Sequence, residues 1–218
     1  AFATATAVGI VQIASARAQS IENSTLEYGT LVGVSRDTPT GVARSTLTNS
    51  GSMTVAANAH ASGQVAATAN AALTGLVEIA GGEDALVSLG NSGTIDIGAS
   101  AIAAGAGAVR GDVRVAGIIQ IATAVAASTV ETIRPSVTAT FQQDVTPVGK
   151  ANASITNTGD LFVNATVHVN ADEDSSVYLT DALGYAVATA VNQEAAGQTA
   201  LAQFYNEGSI VISALVEA

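Results

Sequence analysis

The feature that most constrains this chain of 218 residues is that it repeats itself. A shift of 108 residues places the segment LTNSGSMTVAANAHA, which begins at Leu47, on the segment ITNTGDLFVNATVHV, which begins at Ile155. The same shift also aligns a Gly, a Gln, an Ile and an Ala near the start of each half. Repetition at a fixed period predicts a fold made by stacking similar structural units.

Two short phrases recur inside each half and define a finer repeat of 42 residues, with longer insertions in alternate repeats. The first phrase is Asn-x-Gly and the second is Gly-x-x-Gln-x-Ala, in which Glu78 once replaces the Gln and Ala190 once replaces the Gly. We interpret these positions as structural repeat marks. They are Asn49 and Gly51, Asn91 and Gly93, Asn157 and Gly159, Asn206 and Gly208 for the first phrase, and Gln12, Glu78, Gln120 and Gln193 for the second.

The repeats read as strands, although alanine is the best helix former. Segments such as FATATAVGIVQIASARA and DLFVNATVHVN alternate apolar and polar residues one by one, with many Val, Ile and Thr. In VRGDVRVAGIIQIATAV, strict alternation predicts that the odd-numbered positions share one face of the strand and that the polar even-numbered positions share the other. The first face has Val109, Val113, Val115, Gly117, Ile119, Ile121 and Thr123, and the second has Arg110, Asp112, Arg114 and Gln120. The abundant alanine then predicts small inward-facing side chains and a narrow core.

We therefore predict an all-β protein, a parallel β-helix or β-solenoid built from coils of about 42 residues. The Asn of successive coils would pass a side-chain amide hydrogen bond along the stack, and the Gly that follows would take a positive φ at the corner. An elongated antiparallel β-sandwich is the alternative, because it also uses Asn-x-Gly turns.

The repeat predicts a single repetitive β domain over residues 1–218, made of two tandem units of about 1–108 and 109–218. Insertions are expected at about 22–46, 130–154 and 170–180. The first two contain the three prolines, which suits hairpins or loops that stand off the stack better than coil strands.

Composition excludes several partners. The formal net charge is −11 and the chain has only seven Lys and Arg, so we expect no nucleic acid partner, because phosphate binding needs clustered cations. No run of about 18 apolar residues predicts a membrane helix, and we expect no direct membrane insertion. The chain has no cysteine, which excludes disulfides and thiolate metal sites.

Few residues offer chemistry. His60 and His168 occupy equivalent repeat positions on the polar face of their strands, without a third histidine for a zinc site, so we interpret them as structural. The acidic cluster Asp172, Glu173 and Asp174 is a weak calcium candidate, since Ca²⁺ takes six to eight oxygen ligands. Otherwise we expect no cofactor. The tripeptide Arg110-Gly111-Asp112 lies within a strand, which argues against receptor recognition.

The alanine alternation, LTNSGSMTVAANA, GNSGTIDIGASA and GIIQIATA together resemble the passenger regions of repetitive surface proteins and autotransporter-type adhesins of Gram-negative bacteria. This resemblance implies an extracellular or cell-surface location and a long β-solenoid stalk that serves in adhesion, biofilm or surface-layer assembly. It carries over no catalytic residue. A signal peptide and a translocator would then lie outside this segment.

The sequence thus predicts a non-catalytic structural segment of a bacterial extracellular fibre, adhesin or surface layer, acting by coil stacking and self-association. Its partners would be copies of itself or adjacent repeats of a longer chain. A solenoid that binds a surface glycan or ice is the second hypothesis. A β-helix that cleaves polysaccharide is the third, and it fits poorly because such sites need converging charges and the chain has a single lysine, Lys150.

Overall fold

A computed structural model describes residues 1–16, 25–27, 30–32, 41–63, 65–124, 149–171 and 182–217. These residues form a parallel β-solenoid of four stacked coils. The predicted all-β solenoid is confirmed, and the antiparallel sandwich is wrong because the strands of successive coils pair in parallel.

Each coil contributes three strands to the stack. The first coil contains β1 (Phe2–Ser15), the antiparallel hairpin strands β2 (Thr25–Glu27) and β3 (Thr30–Val32), β4 (Val42–Asn49) and β5 (Ser52–Gly63). The second contains β6 (Ala66–Gly82), β7 (Asp84–Asn91) and β8 (Thr94–Gly105). The third contains β9 (Ala108–Ala124), β10 (Lys150–Asn157) and β11 (Asp160–Ala171). The fourth contains β12 (Ala182–Ala196), β13 (Thr199–Asn206) and β14 (Ser209–Glu217).

Equivalent strands of the four coils build three parallel sheets. The long sheet has the order β1-β6-β9-β12, the short sheet β4-β7-β10-β13, and the third sheet β5-β8-β11-β14. The Asn-x-Gly corners join the short sheet to the third sheet, and their register is kept throughout, with Asn49 opposite Asn91 and Asn91 opposite Asn157. Coils 1 and 4 therefore leave strand edges unpaired among the described residues.

The long sheet packs against both of the others, and its strands change face at one glycine. In β9, Val113 and Val115 face the third sheet, whereas Ile118 and Gln120 face inward beyond Gly117. The predicted faces are therefore wrong after Gly117: Gln120 is buried inside, and Ile121 lies on the outer face. Strand pairing is interrupted at this position between each pair of neighbouring coils, and the alternation of inward and outward residues shifts by one there.

The outer face of this second half is also buried. Val77, Ile79 and Ile121 are at most 4% exposed, and they form an apolar cluster of their own outside the stack, with Val11 and Ile119 packed beside it. Two-sided burial of these strand halves explains why their sequence reads as a nearly continuous apolar run.

The coil strands extend into parts of the predicted insertions. The short sheet takes up the chain again at Val42 and at Lys150, so residues 42–46 and 150–154 belong to coils and not to insertions. Similarly, β11 continues to Ala171. Pairing with the neighbouring coil fixes where these strands start. All eight residues of β7 pair with β4, and seven of them pair with β10. The three prolines lie outside the described residues.

Candidate functional site

The four Asn of the repeat marks form one hydrogen-bonded column inside the corner of the stack. The side-chain amide of Asn49 donates to Oδ1 of Asn91 at 2.8 Å, and Asn91 donates to Asn157 at 2.7 Å. Asn157 donates to Asn206 at 2.6 Å, and the ladder thus has one direction, from coil 1 to coil 4. Each amide also bonds nearby carbonyls of the turn, so the buried polar groups are satisfied.

The glycines of the same corners were predicted to take a positive φ, and the structure requires glycine there for a different reason. Gly51, Gly93, Gly159 and Gly208 do not have positive φ, which the described residues show only at Gly41 and Gly149. A Cβ at Gly93, Gly159 or Gly208 would instead approach the carbonyl oxygen of the equivalent glycine in the preceding coil closer than 3.0 Å. Glycine is required there because neighbouring backbones lie in contact.

A second polar column runs through the interior at the Gln positions. Gln193 donates to Oε1 of Gln120 at 2.9 Å, and Gln120 donates to Oε2 of Glu78 at 2.8 Å. The hydroxyl of Ser45 lies between Gln12 and Glu78, at 3.3 Å from one side-chain oxygen and 3.5 Å from the other. This ladder runs from coil 4 to coil 2, opposite in direction to the Asn ladder.

Glu78 is the one acidic member of this column and is fully buried, with 0% exposure. Burial raises its pKa from 4.5 to about 7, and the hydrogen bonds from Gln120 and Ser45 counteract this only in part. A protonated Glu78 can donate toward Gln12 in the direction that Gln120 and Gln193 follow, whereas a carboxylate can only accept.

A third column lies where the alternation of inward and outward residues shifts in the long sheet. Gly9, Gly75 and Gly117 stand at equivalent positions, and a Cβ at each would lie closer than 3.0 Å to the backbone oxygen of the following coil. Coil 4 has Ala190 at this position. The three coils that have a following coil therefore have glycine, and the coil without one has a methyl group. In the sequence alone, Ala190 is only a departure from the repeated phrase, because the contact that its glycine makes lies in another coil.

Coil 4 concentrates the exposed apolar side chains of the described residues. Inward-facing Phe204 and Ile212 are 41% and 54% exposed because no coil covers them. Outward-facing positions differ as well: Leu215 continues a column that is Asn58, Ser100 and Thr166 in coils 1 to 3. Tyr185 likewise stands opposite Asp112 of coil 3, and Tyr205 stands opposite Thr156 of coil 3. Sequence reasoning missed this change because it only emerges when the strands are aligned.

The two histidines lie on the outer side of the third sheet, on either side of Ile102 in the stack. His60 is exposed, and Nδ1 of half-exposed His168 lies 2.7 Å from a carboxylate oxygen of Glu217. They do not come together as a pair.

A shallow groove of about 510 Å³ crosses the outer face of the long sheet. Arg110, Asp112 and Arg114 line one side of it. The Arg-Gly-Asp tripeptide lies within β9, as predicted, and its Gly111 is buried. Asp112 accepts a hydrogen bond from Arg114, which raises the pKa of that guanidinium, and Arg114 stacks 5.5 Å from the ring centre of Tyr185.

The calcium candidates Asp172, Glu173 and Asp174 lie outside the described residues. Within the part of the chain that is described, no group of three or more His, Asp or Glu side chains is arranged to hold a metal ion. The described residues also contain no helix of the length and apolarity that crossing a bilayer requires.

Comparison of the chain with protein-family models, with curated proteins and with solved structures gave no significant match.

Proposed function

We propose that this chain is a non-catalytic structural segment of a bacterial extracellular fibre, adhesin or surface layer, and that it works by coil stacking and self-association. The observation that carries the proposal is the state of the two ends. Coils 1 and 4 offer unpaired strand edges among the described residues, and coil 4 adds a set of exposed apolar side chains.

The physical argument is that an open strand edge is a template for further pairing. The Asn ladder recurs at all three interfaces between coils, so the contacts that stack these coils can also hold a further coil of the same repeat. Large exposed apolar patches on soluble proteins mark contact surfaces. Location at the cell surface rests on the resemblance to surface-protein passenger regions.

Electron microscopy and sedimentation velocity of the purified protein test self-association. We expect assemblies whose fraction increases with protein concentration. Leu215→Lys should weaken them, since it places a charge on the apolar surface of coil 4, while the β-sheet circular dichroism stays unchanged. Thr166→Lys, at the same column position in coil 3, is the matched control and should leave assembly intact. A strictly monomeric wild-type protein at all concentrations would refute the proposal.

Glycan binding is the second candidate, and the groove on the long sheet favours it. Arg110 and Asp112 supply charged hydrogen-bonding groups, and Tyr185 is half exposed beside them, as an aromatic platform for a sugar ring would be. A glycan array with the wild type and with Tyr185→Ala tests this. Tyr205→Ala, which removes another exposed tyrosine of coil 4, is the control; binding that both variants retain equally would count against the groove.

A further inference from the structure

The two ends of the stack differ in the space that they leave for another coil. We define the coil-1 face as the unpaired edges of β1, β4 and β5, and the coil-4 face as the unpaired edges of β12, β13 and β14. Both expose strand edges, so pairing alone would permit a further coil at either face. The glycine columns distinguish them.

Gly51 lies on the coil-1 face, where nothing among the described residues requires glycine rather than a residue with a side chain. Its φ is not positive, and a Cβ there would meet nothing within 4 Å. In coils 2, 3 and 4, the equivalent glycine faces the preceding coil and is needed for close backbone approach. Gly51 thus retains, on an open face, the gap that each internal interface fills with a carbonyl group. Gly41 also lies open on this face, but its φ of 92° already requires glycine without a further coil.

The Asn ladder gives an independent indication at the same face. Oδ1 of Asn91, Asn157 and Asn206 each accepts a short bond from the Asn of the preceding coil. Among the residues that the structure describes, Oδ1 of Asn49 accepts only the Gly51 backbone N–H, at 3.4 Å. An Asn amide from a preceding coil would complete the column.

The coil-4 face lacks the corresponding space. A following coil would bring its backbone oxygen against the methyl group of Ala190, at the position where Gly9, Gly75 and Gly117 have only hydrogen. A backbone atom in a paired sheet cannot move away as a flexible side chain can, so the conflict falls on the strand pairing.

We infer that the coil-1 face is the docking surface for a further coil of this same repeat, stacked in parallel, and that the coil-4 face is closed to such a coil. The partner is a coil with Gly at the position of Ala190, supplied by a repeat that precedes this segment. This inference rests on the stacking role proposed above, and it gives the stack a direction, because coils add only at the coil-1 face. Copies of this chain would then associate through the exposed apolar side chains of coil 4, and not by stacking coil 4 on coil 1 of another copy.

The test adds a coil at each end and uses the glycines as reporters. A copy of residues 66–108 joined before Ala1 keeps the register, because Phe2 pairs with Thr68 and the coil period is 42 residues. We expect this coil to raise the Tm. Gly51→Ala should be neutral in the original chain, but it should lower the Tm of the extended chain by several degrees. Gly93→Ala is the control and should destabilise both proteins.

At the other end, a copy of residues 62–107 joined after Ala218 should not raise the Tm unless Ala190→Gly is also introduced. The inference is overturned if Gly51→Ala is as harmless in the extended chain as in the original one. It is also overturned if the added C-terminal coil raises the Tm as much in the chain with Ala190 as in the Ala190→Gly variant. Wild-type head-to-tail filaments that Gly51→Ala abolishes would show that coil 4 of a second copy docks despite Ala190, and they would refute the closed face.

These measurements concern the stability of single chains, and they give an answer whether or not the wild type assembles. Wild-type protein that stays monomeric refutes the proposed self-association alone. Failure of the glycine reporters refutes the directional docking surface alone.

Discussion

Replacement of Glu78 by Gln should stabilise the protein at neutral and higher pH and have little pH-dependent effect in acid. Glu78 is fully buried between Gln12, Gln120 and Ser45, and its pKa is raised from 4.5 to about 7. Between these two values the folded state holds a proton that the unfolded chain has released. Stability of the wild type therefore falls as the pH rises through this window, and the loss is complete above pH 7.

Each pKa unit is worth about 1.4 kcal/mol, so the raised pKa corresponds to about 3 kcal/mol at full ionisation. Glu78→Gln removes this cost, since glutamine is uncharged at every pH. It also restores the residue that coils 1, 3 and 4 have in this column, with a side-chain amide that can donate to Gln12 as Gln120 donates to Glu78. The free-energy difference between variant and wild type should rise by about 3 kcal/mol from about pH 4 to about pH 8.

Urea unfolding of both proteins at several pH values measures this difference, and ¹³C NMR of the Glu78 carboxyl carbon follows its titration directly. Glu194→Gln is the matched control, because it removes an exposed carboxylate two positions from the end of β12 without touching the interior column. A stability difference for Glu78→Gln that does not change with pH, or a carboxyl that titrates near 4.5, would refute the reasoning.

Three further predictions concern the ladders, the ends and the metal. Asn91→Ala should cost roughly 2 to 4 kcal/mol of unfolding free energy, because it removes a bond from each neighbouring Asn and leaves the buried Oδ1 of Asn157 without its donor. Asn206→Ala should cost only about 1 kcal/mol, and urea titration measures both values. Ile97→Ala should cost about 2 to 5 kcal/mol, whereas Ile212→Ala, at the same column position but 54% exposed in coil 4, should cost about 1; equal losses would mean that coil 4 is covered in solution. Millimolar Ca²⁺ should leave the Tm unchanged, as measured by calorimetry, and a rise abolished by chelator would make the acidic cluster a binding site.

The solenoid could be predicted from the sequence because its information is local and periodic. Alternation predicts strands, a fixed 42-residue spacing predicts coils, and the spacing of Asn49 and Asn91 is enough to align them in one column. The predicted faces of β9 failed for an equally local reason. One extra inward residue at Gly117 reverses the alternation, and no pattern in a single strand reveals where such a shift occurs.

The purposes of the glycines could not be predicted for a different reason. A glycine after Asn suggests a turn with positive φ, which is a property of one residue. The structure instead requires it for the approach of Gly93 to the carbonyl of Gly51, two residues in different coils. Ala190 similarly has no meaning until β12 is placed beside β9. Contacts between coils depend on the register in three dimensions, which the sequence only implies.

Departures from the repeat are therefore more informative than the repeat itself. In the glycine column of the long sheet, the departure to Ala190 occurs in the coil that no other coil follows, and in the outer columns the departures to Leu215 and Tyr205 occur in that same coil. These changes agree in marking coil 4 as an end that differs from the interior. Gly51 is the opposite case: it keeps the interior residue on an open face, where only a further coil would make use of it. The stack therefore keeps the glycine that close backbone approach requires at the coil-1 face and has lost it at the coil-4 face. This asymmetry gives the stack a direction, and the Gly51→Ala and Ala190→Gly variants measure it.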